Sequence, residues 1–331
     1  MTAFHESQPF LVTGALGCIG AWVVARLLER GDSPVVFDVG TDPRRIRDLV
    51  GDELLERVQF VQGDIADPAA LEACVKGHGI QRIVHLAGLQ VPFCRADPML
   101  GARVNILGTV NVFETARKAG IDRVAYASSA AVFEREDEIR SQGAPDEDAT
   151  PHPNTHYGVY KLANEGTARV SHLEYGISSI GLRPLTVYGV GRDQGMTSAP
   201  TKAIKSAVIG QPYTIGFAGR TDFLYAADCA DAFIAAAERG PEGASIYNLA
   251  GAATEVTTFV DELASQVKGA ADLIKVEGTD LPVPGSIAGG RLDDALPGLT
   301  RTSIKDGIDL TLQRFRALHS AGQLCTSDLS D

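Results

Sequence analysis

Long apolar segments and targeting patterns are missing from this sequence of 331 residues. No apolar run approaches the roughly 20 residues that a membrane-spanning helix needs. The first nine residues are polar and lack the basic-then-apolar pattern of a secretory signal. We therefore expect a cytoplasmic protein that makes no use of a membrane.

Basic residues are also scarce, since 30 Lys and Arg face 42 Asp and Glu for a formal net charge of −12. An acidic surface repels the phosphates of nucleic acids, so we expect no nucleic-acid partner. This charge does not exclude an anionic small molecule, because a local pocket can be basic on an acidic protein. Hydrophobic residues at 44% and charged residues at 22% are typical of a globular chain.

Cysteine is rare and unpatterned, with five residues in all and no CxxC pair. An odd number without paired spacing disfavours both a disulfide framework and a zinc site. His152 and His156 lie four apart, but Pro153 interrupts any helix between them. With no third ligand in view, we expect no metal site.

Short, nearly all-apolar segments alternate along the chain with amphipathic ones. Six of these segments are predicted strands, at residues 9–13, 33–38, 58–61, 83–86, 124–127 and 179–182. Strands of this kind, separated by helices, indicate a parallel sheet that is covered on both faces. With right-handed crossovers, the pattern predicts an α/β fold with a doubly wound, Rossmann-type sheet.

The composition of the sequence changes after about Arg183, where Pro and Gly become frequent. We therefore predict a nucleotide-binding domain at residues 1–183 and a smaller, substrate-binding C-terminal lobe at 184–331, partly interleaved with the first domain. Two long helices are predicted, at about 97–119 and 157–175. Gly120 and Gly176 are well placed to end them.

A glycine-rich loop follows the first predicted strand, with Gly14, Gly17 and Gly20 in a GxxGxxG pattern. Such glycines allow a sharp turn, a close approach to a pyrophosphate and tight packing of helix on strand. Asp38 ends the second strand, where a carboxylate accepts hydrogen bonds from ribose hydroxyls and repels a 2′-phosphate. The pattern predicts NAD as cofactor. NADP stays open at this point, because Arg44, Arg45 and Arg47 follow soon after.

Tyr157 and Lys161 lie four residues apart at the start of a predicted helix, and therefore on one face of it. A phenol with its ordinary pKa near 10 is a poor base at neutral pH. A nearby ammonium and a helix N-terminus both favour the phenolate. Tyr157 is thus the predicted acid/base at a substrate hydroxyl or carbonyl. Ser129, at the end of the fifth strand, is placed to hydrogen-bond the same oxygen, with Ser128 as second candidate.

Together these motifs resemble the extended short-chain dehydrogenase/reductases, the NAD-dependent epimerase/dehydratase group. The resemblance extends over about residues 10–250. Beyond the loop and the YxxxK pair it rests on five segments, at residues 63–65 (GDI), 85–88 (HLAG), 105–109 (NILGT), 127–133 (ASSAAVF) and 182–189 (LRPLTVYG).

The resemblance implies roles for individual residues. Catalysis falls to Tyr157, Lys161 and Ser129, with Lys161 also holding the nicotinamide ribose. The implied cofactor contacts are Gly14, Gly17, Cys18, Ile19, Gly20, Asp38, Asp64, Ile65, Leu86, Ala87, Gly88, Asn105, Ser128, Tyr157, Lys161, Pro184 and Val187. Position in the predicted fold makes Gln90, Phe93, Cys94, Met196, Thr197 and Ser198 candidate substrate contacts, and the resemblance adds Ser129, Thr186 and Arg220.

Departures from the family pattern reduce the number of candidate reactions. Ala130 and Ala131 stand where the dehydratases carry an acidic pair, which disfavours elimination of water. Thr186 replaces the usual Asn, and Arg220 lies one place before its expected position, which weakens the nucleotide-sugar interpretation. Arg220 or Arg192 remains available as a substitute for the missing arginine. A free sugar, sugar acid or hydroxy acid becomes a credible substrate.

The resulting prediction is NAD-dependent hydride transfer at a secondary alcohol of a sugar or sugar-derived molecule, by an epimerase or a dehydrogenase. The alternatives are a nucleotide-sugar 4-epimerase that holds its NAD tightly, and a non-catalytic dinucleotide sensor or scaffold. The resemblance also implies a homodimer, in which the two long helices pair with their copies.

Overall fold

The computed structural model describes residues 9–133 and 143–329. The strands are β1 (Phe10–Thr13), β2 (Val35–Asp38), β3 (Gln59–Gln62), β4 (Arg82–His85), β5 (Arg123–Ala127), β6 (Ser178–Pro184), β7 (Thr186–Tyr188), β8 (Tyr213–Ile215), β9 (Arg220–Tyr225), β10 (Ala244–Leu249), β11 (Ala252–Glu255) and β12 (Ile274–Val276). The helices are α1 (Cys18–Glu29), α2 (Arg44–Leu55), α3 (Pro68–Gly77), α4 (Val91–Ala96), α5 (Pro98–Ala102), α6 (Gly108–Ala119), α7 (His156–Tyr175), α8 (Ala199–Ile209), α9 (Ala226–Glu238), α10 (Val256–Gln266), α11 (Ala270–Leu273), α12 (Arg291–Ala295) and α13 (Ile304–Ser320).

Seven strands form a central parallel sheet in the order β10-β6-β5-β4-β1-β2-β3. Chain order reverses between β1 and β4, which creates the crevice where doubly wound folds bind ligands. The predicted α/β, doubly wound fold class is confirmed. The six strands expected from the sequence all belong to this sheet, with ends that differ by one or two residues.

The seventh strand, β10, lies beyond residue 183, where the sequence predicts the smaller lobe. It pairs with β6 along its whole length, from Ala244 opposite Ser179 to Leu249 opposite Pro184. Helix α9 also packs on the large sheet and on α1. The chain therefore enters the smaller lobe after β6, returns for α9 and β10, and leaves again. The division at residue 183 itself stays a prediction.

Buried apolar side chains cover both faces of the sheet. On one face, α1 and α9 pack through Val23, Leu27 and Phe233. On the other, α3 and α6 pack through Leu71 and Phe113. Two covered faces explain why the strands are continuously apolar rather than alternating.

Local sequence fixes the ends of the helices. The Thr155 hydroxyl accepts a hydrogen bond from Gly158 N (3.1 Å), which caps α7 just before Tyr157. Gly176 ends the same helix in the left-handed conformation with φ 72°, as Gly120 ends α6 with φ 70°. The other long helix, predicted at about 97–119, is α5 and α6 joined by a π-helical turn at Arg103–Leu107.

The smaller lobe has its own core around Tyr188, Phe223 and Phe259, whose rings contact one another. It contains a three-stranded sheet in the order β11-β9-β7 and the pair β12-β8. No helix within the described ranges combines the length and the apolar character needed to cross a bilayer.

His85 ties the end of β4 to its neighbours inside the protein. Its Nδ1 lies 2.7 Å from Thr13 Oγ1, and its Nε2 lies 3.0 Å from Thr109 Oγ1. Burial and the nearby Lys161 charge lower the pKa of His85 to about 3. The imidazole is therefore neutral in the folded protein at neutral pH.

Because the pKa of His85 is depressed on folding, its stabilising contribution is complete above pH 6.5 and is lost as the pH falls toward about 3. The unfolded chain gains the proton first, which costs the fold about 2 kcal/mol between pH 7 and pH 5. We expect His85→Gln to lose less stability over this interval than the wild type, by that amount. Denaturant unfolding at both pH values measures it.

His319→Gln, at an exposed histidine of α13, is the matched control and should keep the wild-type pH dependence. Equal pH dependence in His85→Gln and the wild type would contradict the assignment of a buried, neutral imidazole.

Candidate functional site

A cavity of about 920 Å³ opens at the carboxyl ends of the central strands, between the glycine-rich loop and the smaller lobe. All but five of the predicted cofactor and substrate residues lie on its wall. The five that do not are Cys94, Asn105, Thr186, Ser198 and Arg220. The structure thus brings the predicted catalytic residues, the loop and most substrate candidates to one cavity.

The glycines of the loop stand where a side chain would collide with backbone. Gly14 has φ 67°, and a Cβ there would lie 2.5 Å from Ala87 N at the end of β4. A Cβ on Gly20 would meet the Gly14 carbonyl oxygen. Gly17 has no side chain to cap α1, and the first residues of that helix, 18–20, line the cavity. This cradle suits the diphosphate of a dinucleotide, which the helix N-terminus also favours.

Asp38 lies on the cavity wall and hydrogen-bonds the glycine-rich loop. Its Oδ2 accepts a hydrogen bond from Leu16 N and its Oδ1 one from Gly40 N, both 2.9 Å. Each oxygen keeps a free lone pair, so the carboxylate can still accept bonds from ribose hydroxyls. This fits a dinucleotide with an unmodified ribose.

The arginines that left NADP open are engaged elsewhere. Arg44 Nη2 lies 2.7 Å from Asp193 Oδ2, and Arg45 Nη2 lies 2.6 Å from Asp193 Oδ1. Arg45 also donates to the Leu16 carbonyl (2.6 Å). Arg47 pairs with Asp52. A 2′-phosphate would have to compete with these carboxylates, so the arrangement favours NAD.

The start of α7 brings Tyr157 and Lys161 to the cavity wall beside Ser129. Ser129 Oγ accepts a hydrogen bond from Ala131 N (3.1 Å), and the Ser129 side chain also acts to lower the pKa of the Tyr157 phenol. Lys161 is only 4% exposed, and its Nζ donates to the Ala127 carbonyl (2.7 Å) while lying 5.5 Å from the centre of the Tyr157 ring. The lysine thus points into the site and not into solvent.

The electrostatics of Tyr157 differ from the sequence expectation in one respect. Burial dominates and raises the pKa of Tyr157 above its ordinary value. The opposing contributions come from the Ser129 hydrogen bond and the Arg192 charge, and not from Lys161. Burial also lowers the pKa of Lys161 to about 8, so the ammonium still predominates at pH 7. In the described structure Tyr157 therefore carries its proton at neutral pH.

Behind the predicted catalytic residues, Arg183 and Glu165 form a buried network that was not predicted from the sequence. Arg183 donates from Nε and Nη2 to the two carboxylate oxygens of Glu165, each at 2.7 Å. Ser128 Oγ donates to the same carboxylate (2.5 Å). Glu165 lies one turn beyond Lys161 on α7, and that spacing was the available signal. The network fixes α7 against β5 and β6.

Two of the predicted residues off the cavity wall support it from behind. Asn105, in the π-helical turn, accepts from Leu89 N (2.7 Å) and donates to Leu89 O (2.9 Å). Cys94 is fully buried, and its Sγ lies 3.3 Å from the same carbonyl. Both therefore position the segment after β4.

The other three lie in the smaller lobe. The Thr186 hydroxyl pairs with that of Thr221 (2.7 Å), and Ser198 Oγ donates to the Gly195 carbonyl (2.8 Å). Arg220 is exposed at the start of β9. These bonds are internal to the lobe, so the roles of all five residues as ligand contacts stay predictions.

Some wall residues were missed. Leu281 and Val283 reach the cavity from the Pro- and Gly-rich segment near the C-terminal end, and Leu100 reaches it from α5. No spacing pattern in the sequence joins them to the site, because their approach depends on how the two lobes pack.

Comparison with known proteins finds similarity both in sequence and in overall structure. The model of the NAD dependent epimerase/dehydratase family matches residues 10–250. The UDP-glucose 4-epimerase of Mycolicibacterium smegmatis is 29% identical over 321 residues, which cover 92% of this chain and 98% of that one. The Thermus thermophilus UDP-glucose 4-epimerase, solved with NAD, has a TM-score of 0.78 at 25% identity, covering 93% of this chain and 99% of that one.

The same fold also occurs in a dehydrogenase. The L-threonine dehydrogenase of Clostridium difficile has a TM-score of 0.80 at 18% identity, covering 96% of this chain and 99% of that one. At this identity the likeness concerns the fold alone.

The close packing at Gly20 allows the described conformation of the glycine-rich loop to be tested. A methyl group there would press on the Gly14 carbonyl and on Ala15, so we expect Gly20→Ala to lower the free energy of unfolding by about 1–3 kcal/mol. Gly77→Ala, at the exposed end of α3 with no atom within 4 Å of the added Cβ, is the control. Denaturant unfolding compares the two. Equal stability of both variants would argue against the described loop.

Proposed function

From the premise that this chain belongs to the NAD dependent epimerase/dehydratase family, we propose that it moves a hydride between NAD and a secondary alcohol carbon of a sugar or sugar-derived substrate. The family resemblance found in the sequence motifs is confirmed by the match over residues 10–250. The chain is accordingly an NAD-dependent enzyme. Tyr157 is the proposed acid/base.

One observation carries the proposal. Tyr157, Ser129 and a buried Lys161 meet on the wall of the cavity that the glycine loop also lines. A proton donor, a hydrogen-bond partner and a cation thus stand beside a dinucleotide cradle. This combination has a chemical purpose only if the substrate oxygen gains or loses a proton there.

The residues present fit NAD. The loop around Gly14 and the start of α1 would hold the diphosphate, and Asp38 would accept the adenosine ribose hydroxyls. Lys161 is placed to donate to the other ribose. Bound there, NAD supplies the hydride acceptor for oxidation of an alcohol and the donor for the reverse reaction.

The protein's own groups handle the proton. In the reducing direction, Tyr157 donates its phenolic proton to the carbonyl oxygen, which suits a group whose pKa burial has raised. In the oxidising direction, Tyr157 must first lose that proton. The Ser129 hydrogen bond and the Arg192 charge both favour the phenolate and assist this step. Ser129 also stabilises the negative charge that develops on the substrate oxygen.

A nucleotide-sugar 4-epimerase with tightly held NAD is the second candidate. It is supported by the relative from Mycolicibacterium smegmatis, whose similarity extends over almost the whole of both chains. Against it stand Thr186 in place of the usual Asn and the exposed position of Arg220. Purified protein distinguishes the two activities, because an epimerase retains its NAD and a dehydrogenase reduces added NAD in proportion to substrate.

We predict that Tyr157→Phe lowers turnover by about 10²–10⁴-fold, because the variant has no proton to exchange with the substrate oxygen. NADH affinity, measured by fluorescence titration, should change little. Tyr160→Phe is the matched control, since its hydroxyl donates to the Pro98 carbonyl (2.9 Å) outside the cavity wall. It should keep most of the turnover.

The activity screen uses NAD reduction with sugars, sugar acids and polyols, beside a nucleotide-sugar epimerisation assay. Full turnover in Tyr157→Phe would contradict the proposed acid/base role of Tyr157. Absence of any turnover with intact NADH binding would favour the dinucleotide sensor instead. The cytoplasmic location stays a prediction from the sequence.

A homodimer is part of the proposal. Helix α7 exposes Val159, Val170 and Leu173, and the exposed fraction of Leu173 reaches 68%. Leu107, beside α6, is also exposed. Apolar side chains left on two neighbouring long helices are suited to pairing with a second copy.

We expect the wild type to sediment as a dimer and Leu173→Lys to shift it toward the monomer, because a charge would enter the apolar contact. Arg316→Gln, on an exposed face of α13, should leave the dimer intact. A monomeric wild type in analytical ultracentrifugation would refute the pairing.

A further inference from the structure

Arg192 is a cationic group inside the cavity that the proposed chemistry leaves without a binding role. It follows β7 and lies on the wall, half-buried. Its Nη2 donates to Thr197 Oγ1 (2.8 Å). Its Nε is buried and has no hydrogen-bond partner among the described residues.

The neighbouring arginines show what is unusual about it. Arg44 pairs with both Asp48 (3.1 Å) and Asp193 (2.7 Å), and Arg45 pairs with Asp193 (2.6 Å). Arg192 has no carboxylate oxygen within 4.0 Å in residues 9–133 and 143–329. A partly desolvated charge without a counter-ion is costly, and the cost is recovered when an anion binds. An acidic protein that keeps such a cation in its cavity is prepared for an anionic ligand.

Other polar groups point to the same place. A Cβ on Gly195 would strike Gln90 Oε1 and lie 3.5 Å from Arg192 Nη2, so the amide and the guanidinium flank one glycine. Thr197 and Gln90 also line the cavity. Gly195 has φ 91°, a backbone conformation that favours glycine. The guanidinium, an amide and a hydroxyl thus converge beside the wall.

The Arg192 charge acts on two groups of the same cavity wall. It lowers the pKa of the Tyr157 phenol and that of the Cys18 thiol at the start of α1, in both cases against the effect of burial. Because Arg192 and Tyr157 line one cavity, an anionic group held by Arg192 would lie in the same cavity as the reacting atoms.

We propose that Arg192 binds an anionic oxyacid group of the substrate, a carboxylate or a phosphoryl group, with Gln90 and Thr197 as hydrogen-bonding partners. Resting on the proposed function, this narrows the substrate from sugars in general to sugar acids or phosphorylated sugars. A planar guanidinium matches two oxygens of either group. Neutral polyols lack the group that completes the site.

The test measures ligand binding to the enzyme–NADH complex by calorimetry, independently of turnover. The probes are inorganic phosphate, glycerate, threonate and UDP, with glycerol and threitol as uncharged counterparts. We expect the anions to bind about tenfold or more tightly than the neutral probes, and Arg192→Gln to abolish this preference. Arg192→Lys should restore part of it. Arg316→Gln removes the same charge from an exposed site and should change nothing.

The different probes distinguish which kind of anionic group the site binds. Loss of glycerate and threonate binding in Arg192→Gln supports a sugar acid, and loss of UDP binding supports a nucleotide diphosphate. Weakened NADH binding with unchanged anion preference would assign the guanidinium to the cofactor and overturn the proposal. So would an enzyme–NADH complex that binds none of the anions. The proposed hydride transfer is tested separately, by the turnover of Tyr157→Phe, so its failure is distinguishable from a failure of anion binding.

Discussion

The ion pair between Arg183 and Glu165 is the constraint on which the site depends. Two bonds of 2.7 Å join the side chains, which are 3% and 4% exposed. Burying such a pair is costly unless the remaining polar atoms are also bonded, and Ser128 supplies one of these bonds. Because Arg183 belongs to β6, Ser128 follows β5 and Glu165 belongs to α7, the pair sets how α7 lies on the sheet. The position of Tyr157 follows from that.

The sequence predicted those parts of the fold that are determined locally. Six strands of the large sheet are short apolar segments, and the glycine loop and the glycines that end α6 and α7 depend on nearby residues. Strand β10 was not predicted, since its pairing with β6 joins segments more than sixty residues apart. Cys94 follows β4 and was predicted to contact the substrate, a role that stays a prediction. The contact of its thiol with the Leu89 carbonyl was not predicted, because only the three-dimensional path of the chain determines it.

The sequence predicted that Tyr157, Lys161 and Ser129 meet at one site, but it did not predict the electrostatic balance between them. Residue identity and the four-residue spacing predicted that Tyr157 and Lys161 lie on one face of a helix and act together. Whether the ammonium lowers the pKa of the phenol depends on distance, burial and competing partners, which spacing does not give. Lys161 lies 5.5 Å from the ring centre and donates to a backbone carbonyl, while burial acts on both groups. The counteracting charge comes from Arg192, a loop residue thirty-five positions further along the chain.

The late arrival of β10 has a consequence for how the chain is made. During synthesis β6 emerges well before β10, and until then the hydrogen-bonding edge of β6 is open. An unpaired edge recruits other strands, so nascent chains of this protein are most prone to association in that interval. A fragment ending at residue 183 would keep the open edge permanently. The large sheet is therefore complete only once the chain has been made as far as β10.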